Sequence, residues 1–423
     1  MIRKALLISF LLVFCGSMIA GTGALAAEPA TITITLSDAM SREGLDAVIA
    51  VAKEKTGITV DLDVIPSAGA EDILKTRLAS GDMGDLFLNN VGAQMITLNP
   101  KLNMADLSDE PFAARLDLGF KTAGSADGAL YSAPLASSMG GGLLYNKKVY
   151  QELGLEVPLT WADFMANCDV IKAAGKTAIL GTFKDDWTSQ IFLLADYYNV
   201  AAAAPDFAAD FTVNKAKYAT TPAALRSWEK LYESNAYMNA DYMATTLDIA
   251  VDRLVSGEGV HWPMLTFIVQ TIEANYGDEV NNIGFFPVPS DDASINGITV
   301  WPSNSLHIYS QSPNIEAAKR FLDFYLSDEG ISLYNQVAKP TGPNHILGVE
   351  LGDDMYECTR DMLPYFEAGH TIPAMEFSTP VKGPACPQLC IAVGSNMNTA
   401  AEGAALYDQD CEKQAIQLGL EGW

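Results

Sequence analysis

The chain has 423 residues, with 26 basic against 52 acidic side chains and 49% hydrophobic content. A net charge of −26 opposes binding to polyanions, which excludes nucleic acid as a partner on electrostatic grounds. Charged residues make up only 18%, too few for a solvated disordered chain, so the sequence predicts two or three compact units with real cores.

Arg3 and Lys4 precede an apolar run from Ala5 to Phe14, and small residues end at Ala24-Leu25-Ala26. A basic start, a short apolar middle and an A-x-A end predict a secretory signal peptide over 1–26. The run of ~10 apolar residues falls short of the ~20 that span a bilayer. The mature protein is therefore expected to be periplasmic or extracellular. Cys15 leaves a lipid anchor open, although bulky Phe14 stands where such signals want a small residue.

From Thr31 strands and helices alternate. Thr31–Leu36 alternates polar and apolar residues as a strand does, and Leu45, Val48, Ile49 and Ala52 mark one helical face closed by Gly57. Ile58–Ile65 reads as a second strand, a helix carrying Ile73, Leu74 and Leu78 ends near Ser80-Gly81, and Asp85–Leu88 is a third strand. This order predicts an α/β fold with a parallel sheet, whose ligands collect beyond the carboxyl ends of the strands. Ser37-Asp38 and Asn89-Asn90 fall at those ends. Gly140-Gly141-Gly142 is too short and misplaced for a phosphate loop, and predicts hinge freedom or close approach.

Cys168 shares a helical face with Trp161, Phe164 and Ile171, which predicts a buried thiol. Cys358, Cys386, Cys390 and Cys411 cluster towards the C-terminus. In an exported protein they read as two disulfides with three connectivities open, or alternatively as a four-cysteine zinc site with an unusual C-x3-C spacing.

From Asp127 a resemblance becomes specific. Asp127-Gly-Ala-Leu-Tyr-Ser-Ala-Pro134 leads into Gly142-Leu-Leu-Tyr-Asn-Lys-Lys148, then Leu153-Gly-Leu-Glu-Val-Pro-Leu-Thr-Trp-Ala-Asp-Phe164. This resembles the extracellular solute-binding proteins of ABC transporters, in the group that includes the maltose-binding protein. Thr160 can cap the helix that follows, with Asp163 three residues on. Asn282–Pro289 resembles that family's strand returning between lobes, and Ser312–Ser327 its signature helix, with Ala318, Phe321, Leu322 and Tyr325 as the buried stripe. The likeness runs in order from Thr31 to Pro340, and the tail with four cysteines departs from the pattern.

The resemblance implies a two-lobed periplasmic-binding-protein fold, with two α/β lobes, hinge crossings and a ligand cleft. One lobe would take 27–136 plus 287–339 and the other 137–286 plus 340–423. It implies a monomer without a cofactor that captures a sugar and delivers it to the permease subunits of an ABC transporter. Sugar recognition needs aromatic faces for the ring and planar polar groups for its hydroxyls. Trp187 reads as a stacking platform and Asp186 as a hydroxyl acceptor, unless Asp186 merely caps a helix near Thr188. Ser256–Phe267 resembles a family motif in which Phe267 takes the place of a stacking tryptophan, with Trp262 five residues earlier; each could instead face the core. Trp301 and Asn304 stand where the family has a glycine-rich loop, and Trp301 either narrows the cleft or packs between lobes. Asp38, Asn89, Asn90 and Ser138 complete the candidate ligand set, by position alone.

An enzyme is disfavoured: no G-x-S-x-G elbow occurs, and no second acidic loop partners Asp185-Asp186. A cationic ligand such as a polyamine, or a sensory partner protein without a transporter, is the alternative reading.

Overall fold

A computed structural model describes residues 29–423 except 39, 41, 67, 68 and 350, so the signal peptide expected over 1–26 and Cys15 lie outside the described residues. The strands of its two main sheets, in chain order, are β1 (Ala30–Ser37), β2 (Ile58–Ile65), β3 (Leu86–Asn89), β4 (Ala133–Pro134), β5 (Met139–Asn146), β6 (Thr177–Ile179), β7 (Gly259–Leu265), β8 (Ile283–Phe286), β9 (Ile298–Trp301), β10 (Ser305–Ile308) and β11 (Thr371–Pro373). The first sheet has the order β2-β1-β3-β10-β4; the second has β11-β9-β5-β7-β6, with β8 also paired to β5. Each sheet is the centre of one lobe. Helix Glu43–Thr56 between β1 and β2 ends on Gly57, and helix Ala70–Ser80 leads to β3, the parallel βαβ order the hydrophobic spacing predicts.

The first lobe's core is built from Ile32, Ile34 and Leu86 on the sheet and from Ala318, Phe321, Leu322 and Tyr325 on helix Ile315–Tyr325. Burying each large apolar side chain contributes about 1.5–3 kcal/mol. Ser312 does not cap that helix as its first turn; it donates to Asp85 and accepts from the Asn314 N–H, so the helix starts two residues later than its sequence suggests. In the second lobe helix Trp161–Ala173 is capped by Thr160, whose hydroxyl accepts from the Asp163 N–H. Its face Trp161, Phe164, Cys168 and Ile171 is wholly buried.

Two sequence expectations need correction. Residues 298–301 were expected in the first lobe, but β9 pairs with β5 and β11 in the second sheet, so the chain crosses back at 302–304 rather than near 287. Among the described residues the five cysteines, Cys358, Cys386, Cys390 and Cys411 included, are free and buried, not bridged. Cys358 packs with Met362 in one hydrophobic cluster while Cys386, Cys390 and Cys411 lie in another, so two bridges among the four cannot form without unpacking a core. Cys386 and Cys390 sit one turn apart on helix Cys386–Gly394, and the Cys411 sulfur accepts from the Gly383 N–H at 3.3 Å.

The connecting segments lie side by side and are laced by hydrogen bonds. The Leu135 N–H donates to Asn304 O at 2.9 Å, the Ser138 N–H to Pro343 O at 2.9 Å, and the Thr341 N–H to the Ser137 hydroxyl at 3.0 Å. His345 joins two of them: its Nε2 accepts from the Ser303 N–H at 3.1 Å while its Nδ1 faces Asp117 at 2.7 Å. Burial works against the Asp117 charge, but the His345 ring and backbone donors override it and hold the carboxyl below its usual range.

Candidate functional site

Strand direction decides where the loops gather. In the first sheet β1, β2 and β3 run parallel, ending at Ser37, Ile65 and Asn89, and antiparallel β10 begins opposite Asn89 at Ser305. In the second, β6, β7, β9 and β11 share one direction, and β5 starts among their ends at Met139. The residues just beyond these ends face the crossings. From the first lobe they are Asp38, Asn89, Asn90 and, at a crossing, Asn304. From the second they are the 181–187 loop, Thr266-Phe267, Trp301 and the 374–377 turn. Carboxyl ends of parallel strands are where α/β sheets hold ligands.

The lobes touch at Gly92. Its φ of +67° is a backbone state side chains rarely adopt, and a Cβ there would lie 2.7 Å from Glu376 O and 2.9 Å from Phe377 Cα. Phe377 in turn packs against the clusters of both lobes. At the crossing, Asn304 Nδ2 donates to the Met40 sulfur at 3.1 Å.

Several of the residues expected to meet a ligand are brought together. Trp187 and Phe267 stack on each other, ring centres 6.3 Å apart and planes 29° from parallel, and both are half-buried. Asp186 is exposed and accepts from Gln388 Nε2 at 3.0 Å; no side chain caps the turn at Thr188, and the carboxylate of its neighbour Asp185 accepts instead from the Leu247 N–H, at the start of helix Leu247–Ser256. Asn90 donates to Gln94 Oε1, and Asn89 Nδ2 is a buried donor with no protein partner. Asp38 is exposed at the end of β1.

Trp301 is 6% exposed, and its Nε1–H donates to Glu376 Oε1 at 2.8 Å. Its ring lies over the bare backbone of Gly141, where an added Cβ would be 2.1 Å from Cζ3. The glycine run is thus a close-approach device inside β5: Gly140 and Gly142 likewise meet Met362 and Phe286. Gly141→Ala is expected to push the indole off Glu376 and cost about 1–3 kcal/mol, read as a changed tryptophan emission and a lower urea midpoint.

Two candidates do not reach the site. Trp262 is fully buried in the second lobe, its Nε1 towards Thr182, because β7 is covered on both faces. Ser138 is 3% exposed and its hydroxyl donates to Pro343 O, a hinge bond. Sequence reasoning missed Glu376, Phe377 and Lys382. Glu376 pairs with Lys382 in a partly buried ion pair. Burial opposes the Lys382 charge, and the facing carboxylate overrides it to hold the amine above its usual value.

Aromatic faces, planar amides and no cation left unpaired by an acid in the 374–382 turn suit reversible capture of a polar small molecule. Among the described residues no group of three or more His, Cys, Asp or Glu side chains could hold a metal, and no helix is long and apolar enough to cross a membrane.

Two sheet-centred lobes with loops converging on their crossings define a two-lobed solute-binding protein. A profile of the bacterial extracellular solute-binding proteins matches residues 39–331, and the chain belongs to that family. It is 23% identical over 301 residues to a multiple sugar-binding protein of Streptococcus mutans, covering 67% of this chain and 68% of the relative. Among solved structures, a chitin oligosaccharide binding protein superposes with a TM-score of 0.78 at 18% identity, over 92% of this chain and 99% of that one. A binding protein from Bacillus subtilis in an open conformation gives 0.76 at 15% identity, over 93% and 99%.

Proposed function

We propose that this chain is exported and captures a neutral sugar between its lobes, delivering it to the permease subunits of an ABC transporter. The observation that carries the reading is the half-buried, stacked Trp187–Phe267 pair in the loops that follow β6 and β7 of the second lobe. Rings cover the apolar face of a sugar and planar amides pair with its hydroxyls. The names of the relatives, one for multiple sugars and one for a chitin oligosaccharide, support the same class. The lobes we assign are 29–136 with 302–338 and 345–349, and 137–301 with 351–423, residues 339–344 running along the crossings and Ile346 packing in the first lobe's core; the chain works as a monomer, and sugar bridging the lobes favours the closed arrangement. A signal peptide over 1–26 would deliver the chain to the periplasm or the cell exterior.

A polyamine is disfavoured by the way the acids are used: Glu376 is paired with Lys382, and Asp185 caps the backbone at Leu247. A thermal-shift and calorimetric screen of the mature chain against neutral sugars and polyamines tests the reading. At 100 times its dissociation constant a sugar should stabilise by about 2.7 kcal/mol. Trp187→Ala or Phe267→Ala should weaken that sugar about tenfold or more. A response to polyamines alone, or to nothing in protein freed of carried-over ligand, would overturn it.

A further inference from the structure

The Glu376 carboxylate is held from two sides within its own lobe. Oε1 accepts the Trp301 Nε1–H at 2.8 Å and Oε2 pairs with the Lys382 ammonium. Lys382 is itself fixed at its backbone, whose N–H donates to Gln414 Oε1. The side chains of Lys382 and Glu376 are only 22% and 14% exposed, so this is not a solvated surface pair. It is not part of one lobe's interior either: the backbone of Glu376 lies against Gly92 of the other lobe, and Phe377 next to it packs on both. Taking two charges out of water is costly, and a well-packed apolar pair would serve a purely structural contact at least as well.

A carboxylate offers about four lone-pair directions, and Trp301 and Lys382 use two. The remaining two lie on oxygens whose orientation is fixed by an indole that is itself pinned over Gly141. Hydrogen bonds to a charged acceptor are the strong ones. The ammonium beside it is neutralised by the same carboxylate.

We propose that Glu376 is a specificity-determining residue, its carboxylate accepting hydroxyls of a neutral sugar while it occupies Lys382 and so turns away uronic acids and other anionic sugars. This rests on the sugar reading above and adds a ligand charge class and a residue to it. Removing the negative charge does two things at once. It weakens the hydroxyl contacts, and it releases a largely buried ammonium that then prefers an anion.

The test is isothermal calorimetry on the mature chain, as wild type, Glu376→Gln and Lys382→Met. The probes are neutral malto-, xylo-, chito- and raffinose-type oligosaccharides, with di- and trigalacturonate as the anionic set. Wild type is expected to bind a neutral sugar and no galacturonate at millimolar concentration. Glu376→Gln should bind that sugar about tenfold to a hundredfold more weakly and acquire measurable galacturonate binding. Lys382→Met should weaken the neutral sugar and gain no galacturonate, which separates the released ammonium from general loosening. Glu376→Gln within twofold of wild type for the neutral sugar overturns the proposal, and so does a loss of sugar affinity with no gain of galacturonate in a variant that melts normally. A wild type that prefers galacturonate overturns it as well. A wild type silent towards every sugar overturns the sugar reading first and the proposal with it.

Discussion

Asp196→Ala is expected to destabilise the protein by about 3–5 kcal/mol, the cost of stranding a buried charge. Lys230 lies on helix Pro222–Ser234 with its side chain 2% exposed, facing an Asp196 side chain 1% exposed, Nζ to Oδ1 2.7 Å. Its other hydrogen bond goes to Pro289 O at 2.8 Å. Asp196 also accepts from the Ser227 hydroxyl at 2.6 Å and from Asn199 Nδ2 at 2.6 Å. Without the carboxylate, the ammonium keeps one carbonyl, the Ser227 hydroxyl loses its acceptor, and Asn199 Nδ2 keeps only Val288 O at 2.8 Å. Urea unfolding measures the loss. The double variant Asp196→Ala, Lys230→Met should recover most of it, because replacing a whole buried pair by apolar groups is near neutral. If the single variant costs under about 1 kcal/mol, the pair is solvated in a way its burial does not suggest.

That pair was invisible in the sequence, and the reason is general to this chain. Periodicity reports which face of a local element is buried, so helix Glu43–Thr56, helix Trp161–Ala173 and the stripe ending at Tyr325 were legible from spacing alone. Asp196 and Lys230 meet because two helices and the Pro289 loop pack together, which no spacing records. The same division runs through the site. Trp187 and Phe267 stand out through the family resemblance of their segments, and they do come together. Trp262, equally aromatic and in the same segment as Phe267, is swallowed because β7 is an interior strand, a property of sheet order rather than of the residue. Glu376 and Lys382 carry no such signal, because their segment lies beyond the stretch that resembles the family and their partner Trp301 is distant in sequence. The one local sign was an acid beside an aromatic after Pro373-Ala374, which is weak until β11 places it next to Trp301. The cysteine reading failed for a related reason: compartment chemistry says when thiols oxidise, but packing decides whether sulfurs can meet.

Mild acid should loosen both lobes through two buried histidines, one in each. His261 on β7 is fully buried, with Nδ1 at 2.8 Å from Ala178 O and Nε2 at 2.6 Å from the Tyr150 hydroxyl. His307 on β10 is fully buried, with Nδ1 at 2.9 Å from Tyr131 O and the Asn89 backbone also facing the ring. Burial penalises the charged ring and lowers their pKa values to about 3 and about 4, against 6.5 for the ordinary group. The unfolded chain therefore binds more protons than the native one between those values. Stability from each ring is complete above about pH 6.5 and is lost as pH falls towards the native pKa. At pH 5.5 both native values are still well below the solution pH, so the loss depends only on the unfolded state and comes to about 1.4 kcal/mol per ring, about 3 together. That window lies above the range where most carboxylates titrate, which isolates the imidazoles. Urea midpoints at pH 7.5 and 5.5 give the measurement. His307→Phe, whose ring keeps the contact with Phe87 at 5.3 Å, should remove about half of the pH slope while costing some stability at pH 7.5 for the lost Tyr131 bond. An unchanged slope in that variant would mean that the first lobe does not hold its histidine neutral and that the acid response comes from elsewhere.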